Sequence, residues 1–219
     1  MLHYQDLGFT GDQIGLLTGI TPLITLLFNP LWTGLADTTG RHHAVLGALL
    51  IATAAALVLF PLQNLFLYVL LVAVMFYIFF GSLTSFSDSA AMTMLGDQKA
   101  LYGRVRMGGT FGYGIAAVIT GMLVERFGIR TAFWCGAAMM IANFAVSRFM
   151  TFSQTKPAPA SWRTFTALLK DRNWLVFILL SLTGGFSLGI LSYYLFPTMD
   201  QLGAGESTMG FALAIGTMA

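Results

Sequence analysis

Residues 65–95 read LFLYVLLVAVMFYIFFGSLTSFSDSAAMTML, a long apolar run in which Asp88 is the only charged side chain. A transmembrane helix needs about 20 mostly apolar residues, so this run is long enough to cross a bilayer. It is apolar on all sides, as a helix surrounded by lipid and other helices would be. Strands of a membrane barrel instead alternate over short segments, and this run does not. The stretch therefore predicts an all-α membrane protein.

Five further apolar runs of similar length flank this stretch. They lie between Asp12 and Asp37 and at residues 44–62, 107–124, 131–149 and 174–199. A last run, 209–219, is too short to cross a bilayer, and we expect it to be the start of a helix that the chain does not complete. The sequence thus predicts a polytopic transmembrane helix bundle of about six full spans plus a truncated one.

The composition supports the same class of protein. Hydrophobic residues make up 57% of the chain and charged residues 9%, whereas soluble domains carry about 25% charged residues. A net charge of +2 offers no basic face, so we expect no nucleic-acid partner. The single cysteine, Cys135, excludes a disulfide framework and a multi-cysteine metal site. We expect no metal, no cofactor and no enzymatic activity, because the chain contains neither H-E-x-x-H nor a P-loop.

The basic residues predict how the chain crosses the membrane. With six alternating crossings, one face receives nine of the eleven Lys and Arg side chains, and the other receives only Arg126 and Arg130. The positive-inside rule makes the first face cytoplasmic. Residue 1 then lies outside, so we expect a helix to precede the first run.

The loop after the first run, GLADTTGRHH at residues 34–43, has a recognisable pattern. It resembles the signature loop of the major facilitator superfamily, roughly G-x-x-x-D-R-x-G-R-R, with Asp37, Gly40 and Arg41 at matching positions. The displaced glycine, and Thr38 in place of arginine, depart from that pattern. Residues 102–114, YGRVRMGGTFGYG, and 7–15, LGFTGDQIG, resemble the branch of sugar, phenylpropionate and nucleoside proton symporters.

The resemblance implies a fold and a domain organisation. Residues 1–152 would form the N-terminal bundle with helices two to six of twelve. Residues 153–173 would form a cytoplasmic linker, where Trp162 and nearby apolar and basic residues predict an interfacial helix. Residues 174–219 would hold helix seven and part of helix eight. The chain would then lack helix one and most of the C-terminal half.

The resemblance also implies a function. A secondary transporter of the cell membrane would move a small-molecule substrate by alternating access between two bundles, with protons as the coupling ion and Asp37 and Arg41 as a cytoplasmic latch. The third span has no arginine and the fourth has no glycine-proline motif, which favours symport over drug antiport. The substrate stays open among sugars, aromatic acids and nucleosides, and sodium is an alternative ion. The alternative function is a truncated, non-transporting membrane protein that binds a partner helix bundle in place of the missing half.

Asp88 is the acid well inside a span, where an ionisable group should face the bundle interior or water. Thr84 and Ser85 lie one turn before it. One interpretation is a proton or substrate site. The other, which can coexist with it, is a structural partner for Arg104 or Arg106.

Weaker site candidates are polar or aromatic side chains in later spans. Tyr193 and Tyr194 of the sixth span are cavity-lining candidates or interfacial anchors. Asn143 of the fifth span is a ligand candidate or a helix–helix hydrogen-bonding residue. Gly108, Gly109 and Gly112 predict a small-residue face for close helix packing.

Overall fold

The computed structural model describes residues 4, 7–152 and 170–218, and these are almost entirely helical. Most of the predicted linker, including its interfacial helix, lies outside the described residues. The α-helices within them are α1 (Gly11–Thr39), α2 (His42–Leu59), α3 (Phe66–Phe80), α4 (Leu83–Leu95), α5 (Tyr102–Phe127), α6 (Arg130–Ser147), α7 (Arg172–Gln201) and α8 (Glu206–Met218). Short 3-10 turns follow α2 and precede α5, at Phe60–Leu62 and Lys99–Leu101.

Four of the described helical segments are long and apolar enough to cross a bilayer. They are Gly11–Thr39, His42–Leu62, Phe66–Leu95 and Lys99–Phe127, and they match the first four predicted runs. The fifth run is α6, which has only 18 residues and includes the polar side chains of Arg130 and Asn143. The sixth run is α7. Many large apolar side chains of these helices are exposed, as expected for helices whose outer surface contacts hydrocarbon.

The first helix is defined by its caps. Thr10 and Gln13 form a capping box, in which the Thr10 hydroxyl accepts from the Gln13 amide and the Gln13 side chain accepts from the Thr10 amide. The helix ends at Gly40, whose φ of 67° is the left-handed conformation that glycine adopts most easily. Only Gly40 and Arg41 separate α1 from α2, so the signature-like loop is a tight turn.

The third predicted run forms two helices rather than one. The backbone ladder is interrupted at Gly81–Ser82, at the middle of the Phe66–Leu95 segment. At this point α1 comes close: a Cβ on Gly81 would lie 2.7 Å from the Oγ1 atom of Thr25. The indole of Trp32, two turns further along α1, donates to the carbonyl of Ile78 at 2.9 Å. Close approach of α1 and this side-chain donor accommodate the interruption.

The described helices form two compact units, α7 in one and α1–α6 with α8 in the other. In the larger unit α2 packs on α6 and α3, α1 packs on α3, and α8 packs along α5. Gly210 of α8 lies against the backbone of α5, where a Cβ would be 2.9 Å from the Ala117 carbonyl oxygen. Ser207 of α8 donates to the carboxylate of Glu125 at the end of α5. The sequence analysis assigned α8 to a second bundle, and that assignment stays a prediction.

The larger unit has two buried apolar clusters, one toward each end of the helices. One cluster surrounds Phe86 and Phe152 and includes Leu46, Leu49 and Leu50 of α2. The other joins Leu17 of α1 to Phe60 and to Val69 and Val72 of α3. The interruption at Gly81–Ser82 lies between them along the chain, where α1 meets the third run through small and polar side chains.

Replacing Gly81 with alanine should destabilise the bundle. The new methyl group would meet the branched side chain of Thr25, and overpacking of this kind typically costs about 1–3 kcal/mol. The measurement is denaturant or thermal unfolding of the detergent-purified chain. Combining Gly81→Ala with Thr25→Ala should recover part of the loss, because the two nearest atoms of Thr25, at 2.7 and 2.8 Å, are removed and only its Cβ, at 3.1 Å, remains close.

Gly108→Ala is the matched control for this prediction, because a Cβ at Gly108 has nothing within 4 Å. It should be neutral or slightly stabilising, since alanine favours helix over glycine. Equal destabilisation by Gly81→Ala and Gly108→Ala would contradict the close contact between α1 and the interruption.

Candidate functional site

Asp88 of α4 is joined to α5 through two side chains. The Tyr102 hydroxyl donates to Oδ1 of Asp88 at 2.7 Å. Arg106 donates from Nη1 to the Tyr102 hydroxyl oxygen at 3.0 Å, and the same nitrogen lies 3.7 Å from Oδ2 of Asp88. Tyr102 and Arg106 are four residues apart and therefore share one face of α5. The three side chains form a cluster, which we call the Asp88 cluster.

The position of the Asp88 cluster follows from the two helices that carry it. Asp88 lies 22 residues after Phe66 in a spanning segment that ends at Leu95. At 1.5 Å per residue this is about 33 Å from the start of the segment and about 10 Å from its end. Tyr102 opens α5 just beyond the short connection. The cluster thus lies toward the end that the topology predicts to be cytoplasmic.

The Asp88 cluster combines an acid, a hydroxyl and a base. The Asp88 carboxyl accepts from the neutral Tyr102 hydroxyl and lies beside the Arg106 guanidinium. Both charged side chains are partly exposed, Asp88 by 42% and Arg106 by 63%. Opposite charges at this distance attract each other, so the pair contributes to the contact between α4 and α5.

A second polar contact joins α1 to α4 nearer the middle of the spans. Asn29 donates from Nδ2 to the hydroxyl oxygen of Ser85 at 3.0 Å. Within the described residues, Oδ1 of Asn29 and the hydroxyl of the fully buried Ser82 have no hydrogen-bond partner. Thr25, Asn29 and Trp32 are spaced four and three residues apart on α1, which places them on one face toward the interruption.

Asn29 and Tyr102 were not among the site residues predicted from the sequence. A polar amide within the first apolar run was a signal for Asn29, since such residues in spans commonly bond to another helix. Tyr102 lies inside a segment that carried the family resemblance, but nothing in its sequence position indicated contact with Asp88. The contacts of both residues depend on how the helices pack, and no local sequence pattern specifies that packing.

The signature-like loop contains a contact between an acid and a histidine. Asp37 contacts the Nε2 atom of His42 at 2.9 Å, and no described residue forms an ion pair with Arg41. His42 stacks on the ring of Phe152 with centroids 5.3 Å apart, and His43 meets the same ring edge-on at 5.0 Å. The turn is thus held to Phe152, which follows α6.

Comparison with known proteins identifies the family to which the chain belongs. Residues 1–219 match the MFS_1 like family along their whole length. The chain belongs to this family of the major facilitator superfamily. This confirms the predicted superfamily and the all-helical membrane fold, and it makes the chain an integral membrane protein of a transporter family rather than an enzyme.

Several curated proteins are similar to the chain. It is 22% identical over 210 residues to "Uncharacterized transporter YwbF" of Bacillus subtilis, covering 95% of this chain and 53% of that protein. It is 23% identical to a maltose permease of Geobacillus stearothermophilus, over 77% of this chain and 43% of the permease. It is 26% identical to the multidrug resistance protein MdtG of Citrobacter koseri, over 71% and 40%. The chain spans about half the length of these relatives or less. No solved structure matches it.

Most of the remaining candidates are exposed. Thr84 is exposed, Asn143 is exposed on α6, and Tyr194 is exposed on α7. The side chain of Tyr193 is not among those that the structure describes. No described residue forms an ion pair with Arg104. Their roles in a site stay predictions.

The three glycines of α5 do not make close contacts with described residues. A Cβ at Gly108, Gly109 or Gly112 would have nothing within 4 Å, so their packing role also stays a prediction. The close contact on α5 is made at Ala117, by Gly210 of α8. In the part of the chain that the structure describes, no group of three His, Cys, Asp or Glu side chains could hold a metal ion.

The hydrogen bond between Asp88 and Tyr102 should be measurable as a coupling. We expect the double variant Asp88→Asn/Tyr102→Phe to lose about 1 kcal/mol less stability than the sum of the two single variants, because Asp88→Asn removes the charge and Tyr102→Phe removes the hydroxyl donor of the same charge-assisted bond. The measurement is unfolding of the purified chain in detergent.

A matched cycle uses Tyr113→Phe with Asp88→Asn. Tyr113 lies on the same helix, and its side chain makes no hydrogen bond with a described residue. That pair should be additive within about 0.5 kcal/mol. Equal coupling in both cycles would argue against a direct Asp88–Tyr102 contact.

Proposed function

We propose that the chain belongs to a secondary transporter that moves a small solute across the cell membrane by alternating access and proton symport. The observation that carries the proposal is the Asp88 cluster, an acid inside a spanning segment that contacts a hydroxyl and a guanidinium on the next span. Carboxylates in spans are costly and typically serve ion or proton pathways. Membership of a transporter family supports the same interpretation.

The proposed coupling works through charge compensation. With Asp88 ionised, Arg106 and Tyr102 hold α4 against the start of α5. With a proton on Asp88, that attraction is lost and α4 can separate from α5 at this end. Two helix arrangements that differ in their affinity for a proton are what a gradient needs to drive an alternating-access cycle.

The loop between α1 and α2 is proposed to act as a cytoplasmic latch. Asp37 and Arg41 were the predicted pair. The Asp37–His42 contact and the stacking of His42 on Phe152 support a latch in which the histidine is a third member. Arg41, which has no ion-pair partner among the described residues, would then contact an acid of the opposing bundle in one of the two states.

The substrate class is proposed from the relatives as well as from the sequence. The relative named maltose permease favours a sugar, in agreement with the branch that the sequence resembles. The relatives named multidrug resistance protein favour proton antiport of drugs as a second candidate. The missing arginine in the third span and the missing glycine-proline motif in the fourth favour symport between the two.

A non-transporting protein that binds a partner helix bundle remains the alternative proposal. A central cavity between two bundles needs both of them, and the chain covers about half of its relatives' length. In either proposal the chain works together with further helices. Extraction of the native protein and measurement of its intact mass would show whether those helices belong to the same polypeptide.

Asp88→Asn should abolish gradient-driven solute accumulation while leaving the protein folded. The amide can still accept the Tyr102 hydroxyl but cannot bind or release a proton at the cluster. The measurement is uptake of a labelled disaccharide panel into energised vesicles that contain the protein as its native membrane assembles it, with circular dichroism as the folding check.

Asp97→Asn is the matched control, since Asp97 lies in the exposed connection before α5. It should leave accumulation unchanged. Accumulation by Asp88→Asn at the level of the unmodified protein would rule out the coupling role of Asp88.

The direction of solute movement relative to the proton should separate symport from antiport. In vesicles with an acidic exterior and a neutral lumen, a symporter takes up the sugar and its lumen acidifies. A drug antiporter instead expels a preloaded cationic dye as protons enter. The measurement is luminal pH-dye fluorescence with each solute in turn, and Asp88→Asn should suppress whichever flux is found. Dye export without sugar uptake would replace symport with antiport.

A further inference from the structure

A groove runs between α2 and α6 on the surface of the larger unit. Its cavity volume is about 510 Å³. Most of its lining residues have small side chains, so the side of the groove formed by α2 is shallow. They are His43, Ala44, Gly47, Ala48, Ile51, Ala52 and Ala55 of α2, with Phe144 of α6 and Arg148, which caps that helix. The ring of Phe144 lies over Gly47, where a Cβ would be 3.0 Å away.

The two ends of the groove differ in chemistry. His43 and Arg148 lie at one end, both are exposed, and no described residue forms an ion pair with either. No acidic residue lines the groove, and every other lining residue is apolar or glycine. One end therefore favours an anion and the rest favours hydrocarbon.

The length of the groove matches one leaflet of a membrane. From His43 to Ala55 is 12 residues, about 18 Å along the helix, and one leaflet of the hydrocarbon core is about 15 Å. One extended acyl chain would therefore cover the apolar part of the groove, with its headgroup at the basic end.

We propose that this groove binds one anionic phospholipid of the cytoplasmic leaflet. Its phosphate would contact Arg148 and His43, and one acyl chain would lie along the alanine side of α2. The predicted topology places Arg148 on the cytoplasmic face, where anionic headgroups attract basic side chains. The proposal does not depend on transport.

Lipid retention by the full chain tests this proposal. Native mass spectrometry would titrate the detergent-purified protein with phosphatidylglycerol and, separately, with the zwitterionic phosphatidylcholine. The expected result is one phosphatidylglycerol bound per chain at lower concentration than phosphatidylcholine. Arg148→Gln should raise the Kd for phosphatidylglycerol about fivefold, since one basic side chain near an anionic headgroup contributes about 1 kcal/mol. The Kd for phosphatidylcholine should change little.

A second variant tests the acyl-chain half of the groove. Ala48→Phe would fill this half and should reduce retention of both lipids. If the Ala48→Phe protein is not monodisperse, Ala55→Leu is the replacement variant for the same measurement. The matched controls are Lys99→Gln, a neutralised base on the same predicted face, and Ala142→Phe, an exposed alanine of α6 outside the groove. Equal retention of the two lipids by the unmodified chain, or equal effects of the groove and control variants, would overturn the proposal.

Discussion

The structure depends on one constraint: inside hydrocarbon a backbone amide or carbonyl has no water with which to bond, so each span must satisfy its own polar groups. Long helices with short connections at their ends meet that constraint, and the two-residue connections Gly40–Arg41 and Gly128–Ile129 are examples. Where the ladder is interrupted at Gly81–Ser82, the indole of Trp32 bonds to the carbonyl of Ile78. The neighbouring helix thus satisfies a group that the interrupted span does not.

The same interruption organises the polar residues of the bundle. Thr25 and Asn29 face it from α1, and Ser85 and Asp88 follow it on α4 at intervals that keep them near one another. Asp88 then reaches across to α5. The result is a discontinuous line of hydroxyl, amide and carboxyl groups from the middle of the spans toward one face. Close helix approach at glycine and charge compensation at Asp88 are therefore parts of one arrangement.

Sequence reasoning predicted the helices well because a run of apolar residues long enough to cross a bilayer has few alternatives. It predicted the loop pattern and the family for the same reason: these are local features. It did not predict the interruption of the third run, because Gly81 and Ser82 are compatible with a continuous helix and their close contact with Thr25 is a tertiary feature. It also did not indicate the contact between Asp37 and His42, since the position of His42 involves packing on Phe152. Side-chain contacts that arise from tertiary packing cannot be predicted from the local spacing of residues in the sequence.

The pairing of α5 with α8 has a consequence for biosynthesis. α5 ends at Phe127 and α8 begins at Glu206, so 78 residues must be synthesised after α5 before its partner emerges. At about 5–20 residues per second, this takes about 4–16 s. During that interval the surface of α5 near Ala117 would be covered by lipid or by the insertion machinery. Displacement of that temporary cover, rather than insertion of α5 itself, would then complete this part of the bundle.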